Sequence, residues 1–563
     1  MSRIFKLAAG AFIGISLLTT GQTGAAAQSQ VPASADPTRA SQRFQSKPQP
    51  QQLPDSFGYQ APAQANSAAV ESFILGGVVL RGLTRFSSSD LEFLYASLIG
   101  KRLQRDDIID LSQRITDFYV QRGYPLASVT LPKQRLVDNS QLIMDVSEGR
   151  IGSIIFPAQT PDPARHPQFY AHIEALRSET PLTKETLDRH LLLLNDIAGH
   201  IVRVILRPSK QFPGASDMLV YTHHAPFEAT LSTDNRGSRL LGPWQHTARL
   251  DLNGLLGTDE HLTLRTVNAS PYAELSYYDL QYQRFLNTHG TQLLFSGSHV
   301  KSIPGESLKS LNVQSKASFA QLRLVQSLKR TRTHNIAVRL SSDLRNTSTD
   351  IAQANLTDDR IRSLRGGISL DRSGDNSASI LDVEYSQGIS GLGSTDNGSG
   401  RSSEFGKHGY RKLTLDATHY QPIDGSISVL ISSSGQLAMD SLLSSEQFAI
   451  GGPSYGSAYD PGEISGDHAL AGKIELRYDT SMNDPLMDSV QLYGFYDIGS
   501  TWRRQTQSNE KSKLSLSSAG VGMRAEMGRH VSVNLELAMP LTRDLASDRD
   551  NHGRIYGGLT VRY

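Results

Sequence analysis

The last ten residues, "RIYGGLTVRY" (554–563), alternate between two kinds of side chain. One set is mainly apolar and the other contains two arginines: Ile555, Gly557, Leu559, Val561 and Tyr563 against Arg554, Tyr556, Gly558, Thr560 and Arg562. Successive side chains of a β-strand point to opposite faces. The pattern therefore predicts a strand with one apolar face and one polar face.

The same alternation recurs throughout residues 225–563, which show no convincing helical pattern. Examples are "VSVNLELAM" (531–539), "RKLTLDATHY" (411–420) and "ILDVEY" (380–385). A soluble sandwich would bury the apolar faces between two sheets. An outer-membrane barrel would turn them toward lipid and line its lumen with the polar faces. The large number of such segments favours the barrel.

The N-terminus has the features of a secretory signal peptide. Arg3 and Lys6 precede an apolar run of about twelve residues, and small residues at 25–27 complete a cleavage pattern. The run is too short to be a transmembrane helix. We therefore expect a signal peptide at 1–27. No later segment approaches 18 apolar residues, so any membrane crossing must use a barrel.

Composition excludes several classes of function. The 563 residues carry 56 Lys+Arg against 55 Asp+Glu, so net charge does not indicate a nucleic-acid partner. The absence of cysteine excludes disulfides and thiolate metal sites. Residues 28–70 are rich in Pro, Gln and Ala and predict a low-complexity linker, with a plug inside the barrel as the open alternative.

Two α/β patterns follow the linker, in 73–149 and in 150–224. In the first, the second helix places Ile108, Leu111, Ile115 and Phe118 on one stripe. Each pattern predicts a small sheet backed by helices, with an edge strand able to pair with an extended chain. Modules that act only as spacers would show the same pattern.

Two stretches, "RGYPLASVTLP" (122–132) and "LIMDVSEGRIGSI" (142–154), resemble a polypeptide-transport-associated (POTRA) domain. The resemblance is to two-partner-secretion transporters, the family of haemolysin and filamentous-haemagglutinin secretion proteins. It implies a β-dominated fold: POTRA 1 at 73–149, POTRA 2 at 150–224 and a transmembrane barrel of about 16 antiparallel strands at 225–563.

Both ends of the predicted barrel also resemble this family. "STDNRGSRLLGPWQHTARLDLNGLLGTDE" (232–260) is similar to the first hairpin of its barrels, although the glycines of a hairpin turn account for most of that pattern. The aromatic Tyr563 resembles the signal read by the barrel-assembly machinery.

The resemblance also implies an inward-folded loop near 450–470. In such transporters an arginine at the loop tip meets the aspartate of a Phe-x-Asp-x-Gly motif on the inner wall. Phe495, Asp497 and Gly499 match the wall motif. The matching loop residues are Gly452, Tyr455, Gly456, Tyr459, Asp460, Gly466 and Asp467.

Ser457 stands where the tip arginine would fall. A serine side chain offers one neutral hydrogen bond, whereas arginine offers a charged, bidentate contact. We therefore expect a lumen cation, Arg477 or Arg524, to replace the missing arginine. Glu475 is a further candidate partner in the lumen.

The sequence predicts no catalytic, metal or cofactor site. It contains neither a Gly-x-Ser-x-Gly elbow nor a phosphate-binding loop, and "SGDHAL" and "DPGE" do not fit a calcium loop. His223 and His224 are adjacent, so they cannot present two ligands on one helix face.

The resemblance implies an outer-membrane translocator, not an enzyme, with its modules in the periplasm. It would capture an unfolded exoprotein and secrete it through the barrel without nucleotide hydrolysis. Its expected partners are the exoprotein, outer-membrane lipid and the barrel-assembly machinery. The alternatives are a related barrel for protein assembly or lipid handling, a diffusion porin and a soluble adhesin.

Overall fold

A computed structural model of the protein describes most of the chain beyond the linker. The described residues are 35, 36, 38, 57–59, 72–158, 160–374, 376–395, 400–482, 487–508, 510–544 and 551–563. The predicted signal peptide lies outside them, as does most of the predicted linker. Among the described residues, no helix is long and apolar enough to cross a membrane.

The first module is a four-stranded sheet packed against helices. Its elements are β2 (Phe73–Arg81), α1 (Ser88–Leu91), β3 (Arg102–Leu103), α2 (Arg105–Gln121), β4 (Ser128–Thr130) and β5 (Ser140–Ser147), and the strand order is β3-β2-β5-β4. Helix α2 begins where the Asp107 side chain accepts the Gln104 N–H at 2.7 Å. The apolar stripe predicted for this helix is buried, which confirms it.

The second module is a sheet of similar size covered by two helices. Its elements are β6 (Ile151–Ile155), α3 (Pro167–Ser178), α4 (Lys184–Asp196), β7 (His200–Pro208) and β8 (Ser216–His224). A strand of the linker, β1 (Phe57–Tyr59), pairs in parallel with β7, so the sheet order is β1-β7-β8-β6. Buried leucines of α4, including Leu187, Leu191 and Leu194, form much of the core.

Sixteen of the remaining strands form a closed barrel. Every neighbouring pair is antiparallel, including the closing pair between the last strand and the first. The strands are β9 (Phe227–Asp234), β10 (Trp244–Asn253), β11 (His261–Ser270), β12 (Leu275–Phe285), β13 (Thr291–Ser302), β14 (Val313–Arg330), β15 (His334–Ile351), β16 (Ala354–Gly374), β17 (Ser377–Gly388), β18 (Arg411–Asp424), β19 (Ile427–Ala438), β22 (His468–Ser481), β23 (Ser489–Trp502), β24 (Lys513–Met527), β25 (Val531–Pro540) and β26 (Arg554–Arg562). A two-stranded ribbon, β20 (Phe448–Ile450) and β21 (Ile464–Gly466), interrupts the series.

The barrel carries its apolar side chains outside. In β25, Leu535 is 48% and Leu537 52% exposed, whereas their neighbours Glu536 and Ala538 are 6% and 0% exposed. A sandwich would bury the leucines and expose the glutamate. The closed sheet and its outer face therefore confirm the barrel and exclude the soluble sandwich.

Polar contacts hold the second module against the end of the barrel where β9 begins. Arg330 forms a two-pronged ion pair with Asp196 of α4, with nitrogen–oxygen distances of 2.7 and 2.8 Å. Arg332 bonds to Asp188 at 3.1 Å, and Arg189 donates to backbone carbonyls of the barrel. The module is thus fixed below the lumen.

A pair of arginine substitutions in β25 tests the assignment of the two faces. Leu535→Arg puts a charge on the outer face near the middle of the strand and should lower the free energy of unfolding in lipid vesicles by about 2–4 kcal/mol. Asn534→Arg adds the same charge to the inner face and should have a much smaller effect. Denaturant titration followed by tryptophan fluorescence measures both, and equal losses would contradict the assignment.

Candidate functional site

A long loop joins β19 to β22 and folds into the barrel. We call residues 439–467 the inward loop; it starts at the barrel end opposite the second module. The ribbon β20–β21 forms its stem, and its tip is buried: Ser457 and Ala458 are 0% exposed and Tyr459 is 1% exposed. The tip of the inward loop is therefore enclosed by other residues and not exposed at the barrel surface.

The tip of the inward loop makes a sharp turn at Gly456. This residue has a φ of +78°, in the left-handed region that glycine adopts without strain. A Cβ atom there would lie 2.7 Å from Leu516 on the wall. Both constraints explain why glycine precedes Ser457, and together they bring the next backbone N–H groups close to β23.

Asp497 of the wall receives this turn and is fully buried. Its Oδ1 accepts hydrogen bonds from the Gly456 N–H at 2.9 Å and from the Ser518 hydroxyl at 2.5 Å. Its Oδ2 accepts from the Ser457 N–H at 3.1 Å and from the Ser457 hydroxyl at 2.7 Å. Four donors therefore surround a carboxylate that would be strongly destabilising if buried without them.

The structure shows how the contact forms without a tip arginine. Two backbone N–H groups bind the carboxylate, and the serine adds its hydroxyl. A cation of the wall also binds the tip: Lys473 donates to the Ser457 hydroxyl oxygen at 3.1 Å and to the Pro453 carbonyl at 3.2 Å. Its ammonium also lies 4.3 Å from the centre of the Phe495 ring.

The arginines expected to replace the tip arginine lie elsewhere. Arg477 bonds to Glu475 at 2.7 Å and Arg524 bonds to the same carboxylate at 2.8 Å. Arg524 also lies over the Tyr493 ring, 3.9 Å from its centre. The expectation that Arg477 or Arg524 would bind Asp497 therefore differs from the contacts found. Sequence reasoning missed Lys473, although the strand register sets it directly opposite Asp497.

The other motif residues pack the stem and tip against the wall. A Cβ atom at Gly499 would lie 2.6 Å from Ile450, so glycine permits the close approach of β20. The Tyr455 hydroxyl lies 2.8 Å from that of Ser434. The Tyr459 hydroxyl donates to the Arg543 carbonyl at 3.2 Å.

Two aspartates of the inward loop bind different kinds of partner: one binds a charged side chain and the other binds backbone N–H groups. Asp460 forms an ion pair with Arg554 of β26 at 2.5 Å. Asp467 accepts the Leu442 N–H at 2.9 Å and the Arg504 N–H at 2.8 Å, which closes the base of the loop.

Two glycines of the loop make close backbone contacts. Gly466, next to Asp467 in the chain, is packed so closely that a Cβ atom would lie 2.8 Å from a backbone oxygen of β23. Gly452 donates its N–H to the Tyr459 carbonyl at 3.1 Å.

Glu446 anchors the first part of the inward loop and was not predicted. Its carboxylate lies 2.9 Å from Arg365, 2.8 Å from Lys412 and 3.8 Å from Arg345. All four side chains are substantially buried, so losing Glu446 would leave buried positive charges without this counter-charge. The single signal in the sequence is an acidic residue next to a predicted loop, which does not reveal three basic partners on three strands.

The closed barrel with its apolar outer face, inward loop and attached modules defines an outer-membrane transporter. Its relation to known proteins is specific: residues 214–525 match the family of haemolysin secretion/activation proteins ShlB/FhaC/HecB. Residues 73–149 match the POTRA domain of the ShlB type. The chain belongs to this haemolysin secretion/activation family, and it is an outer-membrane transporter of the two-partner-secretion type.

Individual relatives align over most of the chain. The heme/hemopexin transporter protein HuxB of Haemophilus influenzae is 21% identical over 480 residues, covering 83% of this chain and 82% of the relative. The outer membrane transporter CdiB of Dickeya dadantii is 22% identical over 502 residues, covering 85% and 86%. The hemolysin transporter protein ShlB of Serratia marcescens is 28% identical over 204 residues, covering 36% and 34%.

Solved structures share the fold. CdiB from Escherichia coli superposes with a TM-score of 0.70 at 19% identity, covering 98% of this chain and all of that chain. BamA from Haemophilus ducreyi, in a form lacking POTRA domains 1–3, gives 0.51 at 13% identity and covers 88% and 100%. The fold predicted from the sequence is thereby confirmed.

Substitution at Asp497 tests whether the wall holds the loop tip. Asp497→Asn removes the charge from four hydrogen bonds and should weaken the closed loop by about 2 kcal/mol. Ser457→Ala removes one hydroxyl but leaves both backbone donors, so we expect about 1 kcal/mol. Because the chain has no native cysteine, Ala458→Cys is a single reporter whose labelling rate measures opening.

These losses correspond to labelling that is about thirtyfold faster in Asp497→Asn and about fivefold faster in Ser457→Ala. Glu475→Gln is the matched control, because it removes a buried lumen carboxylate that binds arginines and not the loop. Unchanged labelling in Asp497→Asn, or equal acceleration in the control, would contradict the assignment.

Proposed function

We propose that this protein captures an unfolded exoprotein in the periplasm and passes it outward through its barrel, which the inward loop closes at rest. The observation that carries the proposal is the burial of the loop tip on Asp497 inside the lumen. The tip is held by hydrogen bonds at Asp497 and by the Asp460–Arg554 ion pair, not by the sheet ladder, so it can be released without unfolding the barrel. Its release would open a path between the two ends.

The sheet edge at β7 supports capture of an extended chain. An unpaired edge strand presents a row of N–H and C=O groups to any extended segment. The linker strand β1 already pairs with this edge, from Phe57 opposite Val204 to Tyr59 opposite Leu206. We propose that residues 150–224 form a second POTRA module, and that cargo takes the place of β1 on its edge.

We also propose roles for the N-terminal regions of the chain. Residues 1–27 would be the signal peptide that sends the chain to the periplasm. Residues 28–70 would combine a linker with a plug. The described residue Ala35 supports the plug, because it is 1% exposed and packs with Leu240 and Leu308 at the barrel end opposite the modules.

Transport in this account needs no chemistry by the protein itself, which we propose is not an enzyme. Without a nucleotide site, the driving force would come from binding of the cargo and from its folding outside the cell. The apolar outer face would contact outer-membrane lipid. The terminal strand β26 would be read by the barrel-assembly machinery during insertion.

Secretion of a candidate exoprotein of the two-partner type, co-expressed with this protein, tests the main proposal. Co-expression should place the exoprotein in the medium, and omission of the transporter should leave it in the periplasm. Outer-membrane protein levels, measured in the same cells, should not change. An exoprotein that is retained although the barrel is folded in the outer membrane would contradict the proposal. A fall in other barrels on deletion would instead indicate an assembly factor.

Conductance across a planar bilayer tests the role of the inward loop as a closure. Joining β20 directly to β21, without residues 451–463, should raise conductance severalfold because the lumen loses its filling. The parent and Glu475→Gln should remain at low conductance. If residues 28–70 also block the lumen, the rise will require removal of both segments. Low conductance after both deletions would contradict closure by the loop.

A further inference from the structure

Three histidines from distant parts of the second module meet where that module joins the barrel. His166 directly precedes α3, His200 begins β7 and His224 ends β8. One ring nitrogen of each lies within 4.8 Å of those of the other two. The turn between β10 and β11 adds Asp259, which projects from the barrel into this cluster.

His166, His200 and Asp259 converge closely, and the His224 ring lies against the two other imidazoles. His166 Nδ1 lies 2.7 Å from Asp259 Oδ1 and 3.2 Å from His200 Nε2. His200 Nε2 lies 3.8 Å from the same Asp259 oxygen. His166, His200 and Asp259 are each less than 10% exposed, whereas His224 is half-buried.

Hydrogen bonds alone do not satisfy this cluster. If His166 Nδ1 carries a proton, it donates a hydrogen bond to Asp259. His200 Nε2 then lies beside this N–H and receives no well-directed hydrogen bond from it. A proton on His200 Nε2 instead leaves the lone pair of His166 facing a carboxylate oxygen. In addition, His200 Nδ1 and His224 Nε2 are buried without a hydrogen-bond partner, which is costly for a polar atom.

Backbone N–H groups fix the orientation of the Asp259 carboxylate. Asp259 Oδ2 accepts the backbone N–H groups of Gln168 at 2.8 Å and Phe169 at 3.2 Å, at the N-terminus of α3. This leaves Oδ1 directed at His166. Hydrogen bonds of this kind commonly orient metal-binding carboxylates and set their position.

We propose that His166, His200, His224 and Asp259 bind a divalent transition-metal ion of the zinc type. Metal–ligand bonds of about 2.0–2.2 Å place the ligand atoms of a tetrahedron about 3.4 Å apart. The separations of 2.7, 3.2 and 3.8 Å among His166, His200 and Asp259 lie on both sides of that value, and the ligand nitrogens of the three histidines lie within 4.8 Å of one another. Three imidazoles and one carboxylate form a donor set that suits zinc. Calcium and magnesium prefer oxygen ligands, so this set does not suit them.

The state of His224 fits this role. Its Nε2 is buried without a hydrogen-bond partner, so this nitrogen is available to bind an ion. The partial exposure of the His224 ring gives an ion a route into the cluster.

The expectation of no metal site rested in part on the adjacent pair His223 and His224. The structure places both on strand β8, where neighbouring side chains point to opposite faces. His224 faces the cluster and His223 is exposed. The ion would join three elements of the second module to the barrel through Asp259. It would therefore restrain the module at the point where the chain enters the barrel.

Metal binding can be measured on the full-length protein, purified without a polyhistidine tag and stripped with a chelator. We expect one zinc ion per chain by elemental analysis after dialysis against Zn²⁺. Co²⁺ should give the intense visible absorption of a tetrahedral site. His224→Gln and His200→Gln should each reduce retained zinc at least tenfold, while His223→Gln, one residue away on the opposite face, should retain it.

Folding of each variant is checked by the heat-dependent gel mobility of its barrel, so a lost site is distinguished from a lost fold. Failure of the folded parent to retain zinc would overturn the proposal, as would equal retention in His224→Gln and His200→Gln. Loss of zinc in His223→Gln would also overturn it. None of these outcomes depends on secretion, so this inference can fail while the transport proposal stands.

Discussion

The buried carboxylate of Asp497 is the constraint on which the closed barrel depends. Neighbouring strands use their own N–H groups in the sheet ladder, so the wall cannot supply enough donors to a charge that water does not reach. The tip of the inward loop supplies unpaired amides, those of Gly456 and Ser457, and the Ser457 and Ser518 hydroxyls complete the set of donors. The need to satisfy this charge thus helps to hold the loop in the lumen.

Different interactions hold different parts of the loop. At Asp497 the partners are neutral donors, each of which water can replace at modest cost. Glu446 instead lies among Arg345, Arg365 and Lys412, and separating buried ion pairs is far more costly. The Asp460–Arg554 pair must also break before the tip can leave. We therefore expect the tip to move while the start of the loop stays anchored.

The predictions from sequence succeeded where periodicity or a matched motif carried the information. Two-residue alternation predicted both faces of β25, and the wall motif located Asp497. The sequence could not show that backbone N–H groups replace the tip arginine, because amides leave no mark in a residue pattern. Lys473 depended on the register between β22 and β23. The histidine cluster was missed because its members are brought together only by the packing of the module on the barrel.

A reversible crosslink tests most directly whether the loop tip must leave the wall. Ala458 N lies 3.4 Å from Ser518 Oγ, so cysteines placed by Ala458→Cys and Ser518→Cys are neighbours between which a disulfide can be sought, in a chain that has no other cysteine. The account predicts that secretion stops when the disulfide forms and returns on reduction, while each single cysteine variant secretes throughout. Undiminished secretion by the fully crosslinked protein would contradict it.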